Sequence, residues 1–448
     1  MNISLSDHFT MKKMLQFTFS SIVMMVFSSL YSVADGVFVA NFVGSNALAS
    51  MNIVWPLFLL LSAVGFMLGT GGSAEVAKTM GEGRVDDANS YFTTLTIAVA
   101  VISTAMTVGV WGFLRPLSYL LGADEVLIQD CMIYGWILLI GNIPYMLQAF
   151  FQALFVTAEK PVLGMIFTVI SGIANIFFDF LFMAVLDWGV AGAALGTSVG
   201  CALGGFLPLF YFARKNNGSR LHFVKPKFHG RMLAHSALNG SSEMVSNASR
   251  ALTTFLFNIQ LMRLVGKDGV SAISIMDYVN FVFVAVMIGF SVGIAPVIAF
   301  HYGAQNHQEL RSLLKKCMTI IMISSMSMFL LAEVLSVPVI TIMTDHESLY
   351  QLTLHGFRVF AISFIFMGIN VFTSSFFTAL CNGKISAAVA FLRTIVLEAG
   401  MILFLPIFLE IDGIWLAVPV AEACTAAISL LILFLCRKRY HYAGRDSQ

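Results

Sequence analysis

Charge is scarce in this chain. Asp, Glu, Lys and Arg make up 11% of its 448 residues, where a soluble domain carries about a quarter. A soluble globular protein is excluded, and no nucleic-acid partner is expected. Met1–Leu15 is polar and basic, and no small-residue cleavage site follows a short apolar core, so no cleavable signal peptide is expected. The six cysteines are scattered, and no pair has metal-ligand spacing. The nine histidines form no ligand pattern, and His-Glu-x-x-His is absent, which excludes zinc proteolysis of that type. Prenyl-transfer chemistry would want paired Asp-rich motifs holding Mg²⁺. The adjacent pair Asp86-Asp87 has no second copy. No loop is long enough for a channel filter. The chain is therefore read as not an enzyme, with an intramembrane enzyme kept as the alternative from another class.

What fills the sequence is apolar. Hydrophobic residues reach 58%, mean hydropathy is +0.87, and runs of about 20 residues recur from end to end, enough to cross hydrocarbon. Their continuity excludes the short alternating strands of a membrane barrel. The expected fold is an all-α polytopic membrane protein with twelve spans: 14–40, 50–78, 91–113, 129–155, 162–186, 190–213, 232–260, 272–300, 313–340, 351–380, 386–408 and 413–436. Lys and Arg gather on one set of loops, including Lys12, Lys13, Arg84, Lys160 and Arg437–Arg439, which places both termini in the cytoplasm. A multi-pass protein of a bacterial inner membrane is expected, in contact with lipid and acting as a monomer.

The chain repeats itself. Gly65-Phe66-x-x-Gly69 returns as Gly289-Phe290-x-x-Gly293, Ala77 and Gly81 as Ala299 and Gly303, Phe150-Phe151-x-Ala153-Leu154 as Phe376-Phe377-x-Ala379-Leu380, and Gly189-Val190 as Gly413-Ile414. Each copy follows 222 to 226 residues later. Two six-helix bundles, 1–213 and 232–440, are expected to be related by an axis along the membrane normal, with the basic segment 214–231 as a cytoplasmic linker and 441–448 as a cytoplasmic tail. Such architectures place substrate between the bundles and alternate access by rocking them.

Two acids stand in runs otherwise free of charge: Asp35 within Phe17–Phe42 and Asp179 within Ile166–Leu186. A carboxylate in hydrocarbon costs roughly 2.5–3.5 kcal/mol or more, so it faces protein or an aqueous cavity and marks function by default. Ser171, Asn175 and Asp179 follow at i, i+4, i+8 and stack on one helical face. An oxygen stripe ending in a carboxylate suits a hard cation such as Na⁺, or a proton if a second acid, Asp35, stands near. The competing reading has Asn175 and Asp179 satisfying backbone groups or each other in a packed core. Gly36 beside Asp35 suggests close helix approach or bending. Thr197 follows Gly196 in a small-residue run, where a hydroxyl is often bonded to a preceding carbonyl.

With Tyr31-Ser-Val-Ala-Asp35-Gly36, Asn175-x-x-x-Asp179 and Gly192-Ala-Ala-Leu-Gly196-Thr197, the chain resembles the MATE (multidrug and toxic compound extrusion) family. The run Asn239-Gly-Ser-Ser-Glu243-Met-Val-Ser-Asn247 is similar to its bacterial MepA-like branch. The resemblance covers nearly the whole chain. It implies export of bulky, often cationic drugs in exchange for inward H⁺ or Na⁺, with no cofactor. It places Asp35, Asn175, Asp179 and Thr197 on the cation or proton site, with Na⁺ as one occupant, and Tyr134 beside them. Some members bend span 1 at a proline, whereas no proline precedes Pro56 here. Another branch carries a carboxylate on span 10, where this chain has Ile369 and Asn370. Coupling is therefore expected in the first bundle alone.

A substrate cavity is expected from Tyr31, Ser171, Glu243, Asn247 and Asp277. Arg250, Arg358 and Arg393 have Asp277, Glu398 and Glu422 as candidate partners, because buried charges pair. The 41 Phe and 25 Met suit a deformable cavity and lipid contact equally. A lipid-linked-precursor flippase is the runner-up, and it would want a strongly cationic cavity.

Overall fold

The protein is described, as a computed structural model, over residues 3–214, 218–344 and 346–442. Linker residues 215–217 and tail residues 443–448 lie outside the described residues. In chain order the helices are α1 (Met11–Phe42), α2 (Ser45–Gly81), α3 (Val85–Trp111), α4 (Leu114–Leu120), α5 (Ile128–Thr157), α6 (Pro161–Asp179), α7 (Gly189–Ala213), α8 (Gly230–Asn239), α9 (Ser241–Leu264), α10 (Lys267–Gly303), α11 (His307–Met343), α12 (Glu347–Ala361), α13 (Ser363–Ala379), α14 (Gly383–Phe391), α15 (Ala399–Phe404) and α16 (Pro406–Cys436). A π-helical segment, Phe180–Val185, extends α6, and another, Leu392–Glu398, joins α14 to α15. The fold is that of an all-α polytopic membrane protein.

Ten helical segments are long and apolar enough to cross a membrane, and the α12–α13 pair, bent by 46°, makes an eleventh. The difference from twelve lies at 232–260. There the chain breaks at Gly240 between α8 and α9, and α9 holds Glu243, Asn247, Arg250 and several hydroxyls. Such a segment is too polar to qualify by composition. It packs on α2, α14 and α15.

Backbone turns follow the sequence repeat. Left-handed conformation occurs at Gly83 and again at Gln305, and at Glu159 and again at Cys381. Apolar packing divides unevenly along the molecule. One buried cluster around Val39, Phe58, Tyr134 and Val190 belongs to the first half, and one around Phe257, Phe283, Phe364 and Trp415 belongs to the second. A third crosses between halves, joining Phe9, Phe17 and Ala77 to Val297, Phe376 and Phe377. It lies where α1 begins and where α2 and α10 end, at the basic end of the molecule. The close backbone contacts between halves are also there: Gly71 meets Ser236 and Gly240, and Gly289 meets Ile22.

Residues 3–10 run across this end. Glu159 accepts hydrogen bonds from the Ser4 hydroxyl (2.7 Å) and the Leu5 amide (2.8 Å). Glu309 accepts one from the Phe9 amide (3.0 Å) and lies 2.6 Å from the His8 ring. The segment is thus fastened to an acid from each half.

Candidate functional site

The polar stripe of α6 is buried as its spacing demands. Ser171, Asn175 and Asp179 are 2%, 3% and 0% exposed, while Ile173 and Phe177 on the other face are each 57% exposed. An amphipathic face of this kind needs a partner that can come close. α7 supplies one with Gly196, Gly200 and Gly204, again at four-residue steps. A Cβ on Gly196 would strike the Asp179 carboxylate, one on Gly200 would lie 2.7 Å from Asn175 Cβ, and one on Gly204 would lie 2.9 Å from Ser171 Oγ. Missing side chains on α7 are what let the oxygens of α6 lie against its backbone.

α1 covers the stripe from the other side. Phe27 and Tyr31 pack over Gly172, and one turn further Asp35 is buried, with its carboxyl within hydrogen-bonding range of Asp179. Asn175 is the other polar neighbour of Asp179. Tyr134 of α5, fully buried, stands in the field of both carboxyls. Thr197, buried, follows Gly196 on α7. The five residues expected at the cation or proton site are therefore all buried on the helices that enclose Asp179.

Their hydrogen bonding is incomplete. Asp35 Oδ1, both carboxyl oxygens of Asp179, Asn175 Oδ1, Thr197 Oγ1 and the Tyr134 hydroxyl are buried without a protein partner of good geometry. Each such group costs about 1–3 kcal/mol when left unpaired. Lone-pair-bearing oxygens converging on two adjacent acids fit a proton or a hard monovalent cation, which supplies the charge that two neighbouring carboxylates need. Among the described residues no cluster of three or more His, Cys, Asp or Glu offers a transition-metal site.

Of the second group of expected residues, Tyr31 and Ser171 belong to the first half and Glu243, Asn247 and Asp277 to the second, with both acids in the field of Arg250. Ser171 donates to the Gly200 carbonyl (2.7 Å) and approaches Gln148 Oε1 (3.4 Å), so it clamps α6 to α7. Tyr31 packs against Gly172. Asn247 turns back to donate to the Glu243 carbonyl (2.8 Å). Glu243 lines a small cavity between the halves, and Asp277 of α10 lies beside Asn280. Gly36 is also a correction: nothing lies within 4 Å of its would-be Cβ, and α1 is uninterrupted through it. Gln148, Gly200 and Gly204 belong to the site, although the sequence alone did not single them out. For the glycines, the four-residue spacing from Gly196 was the visible signal.

Of the arginines, Arg393 pairs with Glu422 at 2.6 Å, Arg358 lies 3.8 Å from Glu333, and Arg250 sits over the Phe281 ring.

The MatE family model matches residues 20–181 and again residues 244–403. Multidrug export protein MepA of Staphylococcus saprophyticus subsp. saprophyticus is 22% identical over 433 residues, covering 93% of this chain and 92% of its own. The protein of the same name from Staphylococcus aureus strain MRSA252 is 20% identical over 96% of this chain and 94% of its own. Among solved structures, a MATE protein in complex with MaL6 superposes with a TM-score of 0.92 at 18% identity, covering 97% of this chain and 98% of that one. The outward-facing conformation of a multidrug resistance MATE family transporter of the MOP superfamily gives 0.91 with the same identity and coverage. With the family model matched over more than half of its length, this chain belongs to the MatE family.

Proposed function

We propose that this protein is a secondary active exporter of bulky organic compounds, many of them cationic, driven by inward H⁺ or Na⁺ through the Asp35–Asp179 pair. The observation that carries the reading is the set of six unpartnered buried oxygens at the Asp35–Asp179 pair, three of them on the two carboxyl groups and three on Asn175, Thr197 and Tyr134. The relatives named as multidrug export proteins support the substrate class.

Two carboxylates side by side in low dielectric repel, so the pair takes up one cation or proton to become stable. In the proposed cycle the ion enters from the end opposite the basic one, neutralises the pair and lets α1 pack more tightly on α6. That change weakens drug binding in the cleft between bundles 1–213 and 232–440. Rocking of the bundles then opens the cytoplasmic side, where the ion leaves. Ion and drug must favour different states, or compete for one, for exchange to be obligatory.

Among the described arginines, each is paired with an acid or laid on a ring, or stands at a helix end. Among the described residues this leaves no cluster of unengaged arginines such as a flippase of pyrophosphate-linked precursors would want. The test is efflux of a cationic dye from vesicles under an imposed pH gradient or an imposed Na⁺ gradient. One gradient drives efflux in the wild type, and Asp35→Asn and Asp179→Asn each abolish it while protein stays in the membrane. Efflux that survives in either variant refutes the assignment.

A further inference from the structure

Residues 222–229 of the linker are pinned to α3. The His222 amide donates to Asn89 Oδ1 (2.9 Å) and the Val224 amide to Thr93 Oγ1 (3.1 Å). The Thr94 hydroxyl meets the Lys227 carbonyl at 2.6 Å, and the Ser90 hydroxyl lies 2.9 Å from His229 Nε2. Between these bonds the Phe223 ring stacks on Phe92, 5.1 Å away, and Tyr91 packs edge-on against His229.

The place of this strip along α3 decides what it can touch. Ser90, Thr94, Ile97, Val101, Thr104 and Val108 follow at three- and four-residue steps, so they form one stripe of the helix. At Ile97, Val101, Thr104 and Val108 the stripe is exposed, and the Thr104 hydroxyl turns back to the Ala100 carbonyl. Such a face on a helix long and apolar enough to cross a membrane meets lipid. At Ser90 and Thr94 the same stripe is buried, because the linker lies on it. The linker thus crosses α3 where its lipid-facing stripe ends, at the level of the bilayer interface. There Phe228 is 89% exposed. Lys225, Lys227 and Arg231, also exposed, flank it. Residues 214–231 carry Lys and Arg but no Asp or Glu. Among the described residues no carboxylate forms an ion pair with those three bases, not even Asp86, one turn before Ser90.

We propose that the Lys225–Arg231 strip docks on the phosphate headgroups of anionic lipids in the leaflet at the basic end, with Phe228 seated at the edge of the acyl chains. Lys and Arg held close to an anionic leaflet gain from its negative surface potential, and an apolar ring beside them gains by leaving water at the same depth. A soluble phosphate would satisfy the bases and leave Phe228 in water, so the combination of ring and charge selects a lipid. α8 follows directly at Gly230 and leads into the second half. Lipid held by the strip therefore fixes the joint between the halves against the bilayer surface. It stabilises this arrangement over one in which the strip leaves α3. The inference does not rest on the coupling role of Asp35 and Asp179.

Purified full-length protein in neutral detergent is titrated with phosphatidylglycerol, with phosphatidylcholine and with inorganic phosphate, and its thermal midpoint is followed. A saturable rise with phosphatidylglycerol alone is expected. Lys225→Gln, Lys227→Gln and Arg231→Gln together should weaken the apparent affinity by about ten-fold or more. Arg311→Gln, Lys315→Gln and Lys384→Gln, which remove three exposed bases elsewhere at the same end, should leave it near wild type. In phosphatidylglycerol nanodiscs, the fluorescence added by Phe228→Trp should be quenched by lipid brominated near the headgroup end of its acyl chains. An equal rise with phosphatidylcholine or with inorganic phosphate, equal losses in the two triple variants, or unquenched fluorescence overturns the proposal. Loss of dye efflux in the Asp35 and Asp179 variants bears on the coupling reading and leaves this one standing.

Discussion

Gly81 rests on the carbonyl of Phe300, and Gly303 rests on the carbonyl of Lys78, so the ends of α2 and α10 grip each other reciprocally. The two contacts are counterparts under the repeat: the spacing that carries Gly81 to Gly303 also carries Lys78 to Phe300. A methyl group at either glycine would meet backbone, which cannot swing aside as a side chain does. Gly81→Ala and Gly303→Ala should each cost about 1–3 kcal/mol, as overpacking does. Both should also loosen the basic end. The check is alkylation of Cys381, which lies near Lys78, followed by mass spectrometry. A faster rate is expected in both variants, and an unchanged rate in both would argue that this contact does not hold the end shut.

Gly196 and Gly36 make opposite predictions from the same substitution. Gly196→Ala drives a methyl into the Asp179 carboxylate. It should abolish ion-driven efflux without removing any charged or polar group. Gly36→Ala meets nothing within 4 Å and replaces a poor helix former, so it should leave efflux near wild type and raise stability by up to about 1 kcal/mol. Vesicle efflux and thermal midpoints for the pair decide the matter. Equal damage in both would show that helix flexibility, rather than space for the carboxylate, is what α7 and α1 provide.

These glycines also mark how far the sequence could be read. Asp35 and Asp179 were conspicuous because a carboxylate in an apolar run has no cheap explanation, and the four-residue period placed Asn175 and Ser171 on the same face. Periodicity within a helix says nothing about the partner, so the match of α6 oxygens to α7 glycines emerged only from packing. Gly36 was misjudged for that reason: small residues permit a close approach without requiring one. At Asn247 the sequence could not show that one amide hydrogen goes to the carbonyl one turn back. The break at Gly240 escaped notice because α8 and α9 are both helical, and hydropathy averaged over the two hides the join.

The N-terminal strap gives a pH prediction. Lys13, 2.7 Å from Asp7, holds the Asp7 carboxyl below its ordinary value of 3.8 through a direct hydrogen bond. A depressed value in the folded state contributes stability above the unfolded value and loses it as pH falls through the folded one. Hydrogen-exchange protection of the Leu5 and Phe9 amides, corrected for intrinsic rate, should therefore fall as pH drops below about 4. The fall should be smaller in Asp7→Asn. At neutral pH Glu309→Ala should strip protection from Phe9 and leave Leu5, held by Glu159, less affected. Protection that ignores all three changes would mean the strap is held by Leu5 and Phe9 packing alone.

Arg393 and Glu422 show how one buried acid of the second half is neutralised. Arg393 gives Glu422 Oε1 two hydrogen bonds, of 2.8 and 2.6 Å. Asn370 donates to Glu422 Oε2 at 2.6 Å and accepts from Ser429 at 3.1 Å. Asn370 stands where a span 10 carboxylate was sought, and it is engaged in this network. Breaking such a pair from one side strands a buried charge and costs about 3–5 kcal/mol, whereas replacing both partners by apolar residues of similar volume costs much less. Arg393→Met and Glu422→Met should each lower the thermal midpoint sharply, and the double variant should recover most of the loss. Ion-driven efflux should persist in the double variant, because the network ties the Leu392–Glu398 turn to α16 and binds nothing that moves. A double variant as unstable as the singles would mean the pair is worth more than its packing. A stable double variant that no longer exchanges ions would place coupling in the second half as well.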